Sequence, residues 1–452
     1  MNKNEIYTVD ITDMNNLGMG VCRIDGIVTF VNGAVVGDTA EIKIIKCQKG
    51  YSIARTEKII RSSEMRETEH VCQKTSSCGG CVYGLIKYEH ELEIKRNQVL
   101  FEMKKAGLDM KVEPVFSTGK TSRYRNKAQY PVSSDKNGKL ISGFYARNTH
   151  RVVECDDCLL EPKLFSDILK SAVYKLNSLG LSAYDEESGK GLLRHIYLRQ
   201  GQKTGEVLLC FVINGKSIPN EKRIAEDLAE EFPQIKSIFI NVNREKTNVI
   251  NGKEYRLIFG KETINDILCE NIISISPDSF YQVNRDCAEE LYKKAITLLD
   301  LKEGESLLDL YCGAGTITLA ASRITSLKRI IGVEIVPAAI ENAKRNAEMN
   351  KIDNVDFICG DAGDIEKIMR DKNISLDAVI LDPPRKGCSE ETLKYLVKAS
   401  PKKISYVSCS PDTLARDVAF LLKNGYTADT VYPFDMFPRT GHVESVVCLS
   451  RE

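Results

Sequence analysis

Over residues 1 to about 60, apolar and polar positions alternate in short runs such as "EIYTVDITD", "GVCRIDGIVTFV" and "TAEIKIIKC". A period of two puts successive side chains on opposite faces of a strand. Gly18, Gly20, Gly26, Gly33 and Gly37 punctuate these runs as turn residues, so the pattern predicts a small all-β barrel of OB-like type. A helical stretch from Tyr88 to Gly107 follows, then a mixed region with the strand-like runs "LLRHIYLRQ", "GEVLLCFVI" and "IKSIFINVN". From about Ile272 the texture becomes strand and helix in alternation. The strands are "SLLDLY", "RIIGVEI", "VDFICGD", "LDAVILD" and "KKISYVSCS". Five apolar strands separated by helical patterns imply a doubly wound parallel sheet. The predicted fold is multidomain α/β: a β-barrel over 1–60, a central α+β domain over 61–268 and a Rossmann-like sheet over 269–452. The chain has 452 residues, in line with about 150 per domain.

Composition narrows the class. Apolar residues make up 42% and charged residues 28%, with 63 basic and 63 acidic side chains, which excludes disordered and collagen-like chains. No apolar run approaches the roughly 18 residues of a membrane span, so a cytoplasmic protein with no membrane partner is expected. Fifteen cysteines in a reducing compartment are better read as ligands and reactants than as a disulfide framework. The balanced total hides a basic stretch: Glu93 to Arg151 holds 13 lysines and arginines against 5 acids. Within it, Arg123, Arg125 and Lys127 interleave with Tyr124 and Tyr130, a mixture suited to phosphates and stacked bases; a solvated basic face is the competing reading.

In doubly wound sheets the ligand lies beyond the carboxyl ends of the strands. The first strand runs into "DLYCGAGTIT", where Gly313 and Gly315 allow close backbone approach. Thr318 stands where a dinucleotide fingerprint requires Gly or Ala. Glu334 ends the second strand, where a carboxylate can bind ribose hydroxyls; Asp361 ends the third and Asp382 the fourth. Any one of these acids could be a simple cap. Together they suit a nucleoside that lacks phosphates but carries a charged centre, and S-adenosylmethionine is such a ligand.

The fifth strand ends in "SYVSCSPDT", with Cys409 at its tip. A methyl donor gives this thiol a task. Uracil C5 is too weakly nucleophilic to attack a sulfonium methyl, but thiolate addition at C6 makes C5 an enolate carbon. A base must then take the C5 proton, so the chemistry demands a cysteine and a carboxylate held across one strand pair. "FPRTGHVESVVCLS" offers Glu444, with His442 nearby, at the start of a strand expected beside the fifth. The competing readings are a buried structural thiol and a capping carboxylate, and Cys388 in "RKGCSE" is a rival nucleophile.

"DLYCGAG", "LDPPRKG", "SCSPDT" and "FPRTGHVE", in this order, resemble the RNA uracil-5 methyltransferases that make 5-methyluridine. "SPDSFYQVN" resembles that family's cofactor-side segment, and the amino-terminal barrel resembles its TRAM domain. The resemblance implies a class I methyltransferase sheet with Cys409 as nucleophile and Glu444 as proton acceptor. It implies that Gln282, Tyr311, Thr316, Glu334, Asp361 and Asp382 hold S-adenosylmethionine. Ser410, and Thr316 itself, depart from the asparagine often found in the family. Cys72, Cys78 and Cys81 in a C-x5-C-x2-C run, with distant Cys158, resemble the iron-sulfur ligands of the 23S ribosomal RNA members. Four thiolates suit a [4Fe-4S] cluster and also tetrahedral zinc; the resemblance favours iron, and Cys155 is a substitute fourth ligand. The expected partner is 23S ribosomal RNA, handled by a monomer. The alternatives are a transfer RNA uracil-5 enzyme, a radical iron-sulfur methylthiotransferase, an amino methyltransferase and a non-catalytic RNA-binding iron-sulfur protein.

Overall fold

The computed structural model describes residues 1–69, 71–366 and 376–451. Residues 1–61 form a six-stranded sheet, with Thr39–Cys47 and Tyr51–Arg61 as its long central strands. Alternation works as predicted: Ala40, Ile42, Ile44 and Ala54 turn inward onto Cys22, Ile24 and Val31.

The central unit is a seven-stranded sheet, built around Leu193–Gln200 and Val207–Ile213. Both of these strands are buried almost throughout, because the helices Lys163–Ser178 and Glu221–Glu231 cover one face while Tyr197, Leu208 and Cys210 on the other pack into the core of the C-terminal unit. Unbroken apolar runs such as Val207–Ile213 are what two-sided burial requires.

The C-terminal unit is an eight-stranded sheet. In spatial order it runs Val355–Cys359, Arg329–Glu334, Ser306–Leu310, Ala378–Leu381, Lys403–Ser408, Glu444–Ser450, Thr430–Phe434 and Lys111–Val112. The first five strands are mutually parallel. Glu444–Ser450 then pairs antiparallel with Lys403–Ser408, so its first residue lies at the edge where its parallel neighbours end.

The last strand departs from the expected domain boundaries. Lys111–Val112 and the preceding helix Tyr88–Lys105 belong in sequence to the central region, yet Lys111–Val112 pairs with Thr430–Phe434, and Val99 and Met103 pack into the C-terminal core. No described helix is long and apolar enough to cross a membrane.

Candidate active site

The ladder between Lys403–Ser408 and Glu444–Ser450 ends with Ser408 opposite Ser445. One further step in this register sets Cys409 opposite Glu444, a separation across which directly facing side chains touch. Faces follow from the period of two. Val407 and Val446 pack in one core with Ile380, Ile317 and Tyr292, whereas Tyr406, Val447 and Leu381 pack in the other. Cys409, Glu444 and Asp382 are each two residues from a member of the first set, so all three point to the same side.

This parity also removes the rival thiol. Cys388 is buried in the opposite core. Its amide and the Tyr406 hydroxyl both donate to Asp417 Oδ2, at 2.9 and 2.6 Å, and burial pushes its thiol up to about 12. It is part of the anchor that holds the "LDPPRKG" turn.

The three facing groups share one electrostatic environment. Burial pushes Glu444 up to about 8, with Asp382 adding to the rise and Arg385 opposing it. Burial likewise raises Asp382 to about 7. Burial first, then Glu444 and Asp382, raise the Cys409 thiol to about 11, again with Arg385 opposing. His442 is held below its usual range by burial and by Arg385, Lys95 and Arg125. A carboxylate poised near 8 suits a general base at neutral pH, whereas the thiol must be helped to ionise.

At the other end of the cleft, Gly313 (φ 55°) and Gly315 (φ 79°) form a left-handed turn before the helix Thr316–Ile324. A side chain at Gly313 would meet open space, so the backbone there is accessible. The Gly313 amide donates to Glu334 Oε2 at 3.2 Å, and the Val336 amide donates to Oε1 at 2.9 Å. Ile335 and Val336, 59% and 49% exposed, give the carboxylate an apolar flank. Asp361 accepts from the Gly363 amide at 2.8 Å, Thr316 donates to the Tyr292 hydroxyl at 3.4 Å, and the Gln282 carbonyl accepts from Asn126. A glycine turn, a carboxylate with an apolar flank and raised acids nearby fit a cationic nucleoside.

Tyr311 has φ +67°, a left-handed conformation rare for a bulky residue. Its hydroxyl lies 3.5 Å from Thr392, and Asp361 is among the groups that act on it. Two residues not singled out in the sequence join the site: Arg385, which pulls both Cys409 and Glu444 downward, and Asp309. Asp309 is wholly buried; burial raises it to about 7, Thr318 donates to its Oδ2 at 2.6 Å, and its Oδ1 has no partner. An acid inside the apolar run "SLLDLY" was the available signal.

A profile of the tRNA (uracil-5-)-methyltransferase family matches residues 87–452, and a TRAM domain profile matches residues 2–56. The chain belongs to the tRNA (uracil-5-)-methyltransferase family. An uncharacterized RNA methyltransferase of Bacillus cereus is 39% identical over 99% of this chain and 97% of its own length. One of Clostridium acetobutylicum is 40% identical over 99% and 98%. Among solved structures, the tRNA (uracil-54, C5)-methyltransferase of Pyrococcus abyssi, in complex with S-adenosyl-L-homocysteine, is 29% identical. It covers 98% of this chain and 100% of its own, with a TM-score of 0.77.

In this family member the expected metal cysteines gather around one cavity of 390 Å³, lined by Cys72, Cys78, Cys81, Cys155 and Cys158 with Arg125 and Lys127. Burial raises Cys81 to about 12 and Cys155 to about 11, and neighbouring thiols add to each rise. Among the described residues, however, no three His, Cys, Asp or Glu side chains meet as ligands of a single ion. The cavity is ringed by these thiols and by the two basic side chains.

Arg123, Arg125 and Lys127 are half-buried rather than fully exposed. Arg123 pairs with Asp157 at 2.7 Å and donates to the Cys158 and Glu161 carbonyls. Tyr124 and Tyr130 are buried, and burial lowers Lys127 to about 8. Arg123 is thus spent on internal bonds, while Arg125 and Lys127 line the cysteine cavity.

The shared field gives a test. Glu444 is ionised above about pH 8 and then repels the thiolate, so Glu444→Gln should speed Cys409 alkylation by iodoacetamide at pH 9. The expected gain is roughly threefold, about half a pKa unit, and it should shrink toward pH 7, where only a minor fraction of Glu444 is ionised. Alkylation of the Cys409 peptide by mass spectrometry measures it.

Proposed function

We propose that the protein methylates C5 of uridine in RNA, using S-adenosylmethionine, with Cys409 as nucleophile and Glu444 as proton acceptor. The observation that carries this reading is the facing of Cys409 and Glu444 across one antiparallel strand pair, with Asp382 on the same side. Gln282, Tyr311, Thr316, Glu334, Asp361 and Asp382, with the Gly313 backbone, would hold S-adenosylmethionine, which supplies the methyl group as a sulfonium.

Arg385 favours ionisation of Cys409, and the thiolate adds to uracil C6. The electron pair moves to C5 and O4, and C5 takes the methyl, with S-adenosylhomocysteine as leaving group. Glu444 then removes the C5 proton, the C6–S bond breaks, and the thiolate is restored. Closing the cleft over a flipped base excludes water from these steps.

We infer that the substrate is 23S ribosomal RNA, on the strength of the cysteine pattern. The likeness to a transfer RNA enzyme over nearly the whole chain supports transfer RNA as the second reading. Cys72, Cys78, Cys81 and Cys158 would bind a [4Fe-4S] cluster, with Cys155 in reserve; its anionic charge would be met by Arg125 and Lys127. Protein isolated without oxygen should carry about four irons and four sulfides per chain, and Cys81→Ser should lose most of both. One zinc per chain with no sulfide would refute the cluster.

The catalytic reading is tested with RNA that carries 5-fluorouridine at the target. Fluorine cannot leave as a proton, so the methylated adduct should persist on a denaturing gel and vanish in Cys409→Ala. Turnover on normal RNA without a fluorouridine adduct would sink this mechanism.

A further inference from the structure

Glu444 follows a loop, residues 435–443, that joins the strands Thr430–Phe434 and Glu444–Ser450. The loop has no regular structure of its own, yet groups from distant parts of the chain hold it at almost every step. At its start, the Asp435 amide donates to the Phe116 carbonyl at 2.8 Å, and Asp435 Oδ2 accepts from the Tyr88 hydroxyl at 2.6 Å. Further on, Asn284 donates to the Met436 carbonyl and Tyr124 to the Pro438 carbonyl, at 3.2 and 2.9 Å. Near its end, the Asn16 carbonyl of the TRAM domain packs where Gly441 would carry a side chain, 1.7 Å from an ideal Cβ.

The centre of this arrangement is Lys95. It sits on the helix Tyr88–Lys105, with no solvent exposure. Its ammonium donates to Glu91 Oε1 at 2.7 Å, to Asp435 Oδ1 at 2.7 Å and to the Phe437 carbonyl at 3.1 Å, which uses all three of its protons. Glu91 Oε1 also accepts from the Arg439 amide at 2.7 Å, and the Arg439 guanidinium lies 3.6 Å from Glu91 Oε2. Arg439 is held at φ +70°, a left-handed conformation uncommon for a residue with a side chain. Its own carbonyl accepts from the Tyr83 amide, and its guanidinium donates to the Ile86 carbonyl.

A buried ion cluster of this kind is a poor source of stability, because apolar residues of similar volume serve as well. What it supplies is direction, since charges with fixed partners permit one arrangement of the loop. The geometry points to Lys95 as a positioning residue for proton removal, acting through Asp435, Glu91 and Arg439 to hold the loop that presents Glu444. This inference rests on the reading of Glu444 as the base. Lys95 touches neither the cleft nor Cys409, which belongs to another strand, so the two halves of the reaction should respond differently.

The test uses the full-length protein, S-adenosylmethionine and RNA with ordinary uridine, quenched over time and run under denaturing conditions. Glu444→Gln serves as the reference, because its methylated adduct cannot lose the C5 proton and should accumulate. Lys95→Met should form adduct at close to the wild-type rate but resolve it about a hundredfold more slowly, as expected for a base displaced by about 1 Å. Because Lys95→Met leaves two buried carboxylates without their cation, the neutral triple variant Glu91→Gln/Lys95→Met/Asp435→Asn is measured beside it and should accumulate adduct as well. If formation and resolution fall together in the triple variant, or if its resolution keeps the wild-type rate, the inference is overturned. If Glu444→Gln itself accumulates no adduct, the assignment of Glu444 fails, and Lys95 fails with it.

Discussion

One antiparallel pairing inside an otherwise parallel sheet governs the chemistry of this protein. Parallel strands deliver their carboxyl ends to the ligand edge, and an antiparallel neighbour delivers its amino end to the same edge. Lys403–Ser408 and Glu444–Ser450 meet in this way, so the residue after one strand faces the first residue of the other. The constraint is unforgiving, since a slip of one position would turn Glu444 to the opposite face. The surroundings of the ladder serve this register: the Asp417 anchor beneath Tyr406 fixes one side, and the ions around Lys95 fix the other.

The cleft this creates is rich in protons it has not released. Asp309, Asp382 and Glu444 are all raised by burial, and the thiol is raised with them. Such a site resists further negative charge and would favour a cationic ligand. A sulfonium donor would relieve the crowding of acids, and Arg385 opposes the rise of both Glu444 and Cys409.

Much of this was legible in the sequence. Five apolar runs ending in Cys409, Asp382, Asp361, Glu334 and a glycine turn read as parallel strands with chemistry at one edge, because one such acid can be a cap but several in succession beside a glycine turn suit a ligand. The strands of the amino-terminal unit were legible in their period of two, and its TRAM identity only in the family resemblance. Tyr311 was not, because nothing in its sequence context announces a left-handed residue without glycine. Nor was the fate of the basic segment: arginine and tyrosine serve equally for phosphates and for buried pairing, and only the Arg123–Asp157 contact separates the two. The helix Tyr88–Lys105 was assigned to the wrong neighbour because the strand that ties its segment to the C-terminal sheet is two residues long, below what periodicity can register. Cysteine spacing carried no geometry: the structure brings Cys72, Cys78, Cys81, Cys155 and Cys158 to one cavity, yet no three of them meet as ligands of one ion among the described residues.

The central claim is that Cys409 and Glu444 act together on C5 of a uridine. The most direct measurement supplies purified protein with methyl-labelled S-adenosylmethionine and with 23S ribosomal RNA or transfer RNA that lacks the modification, and then identifies the labelled nucleoside after digestion. The account predicts label only in 5-methyluridine, from the ribosomal RNA, and none with Cys409→Ala. Label in any nucleoside other than 5-methyluridine, or label that survives the loss of Cys409, would contradict it.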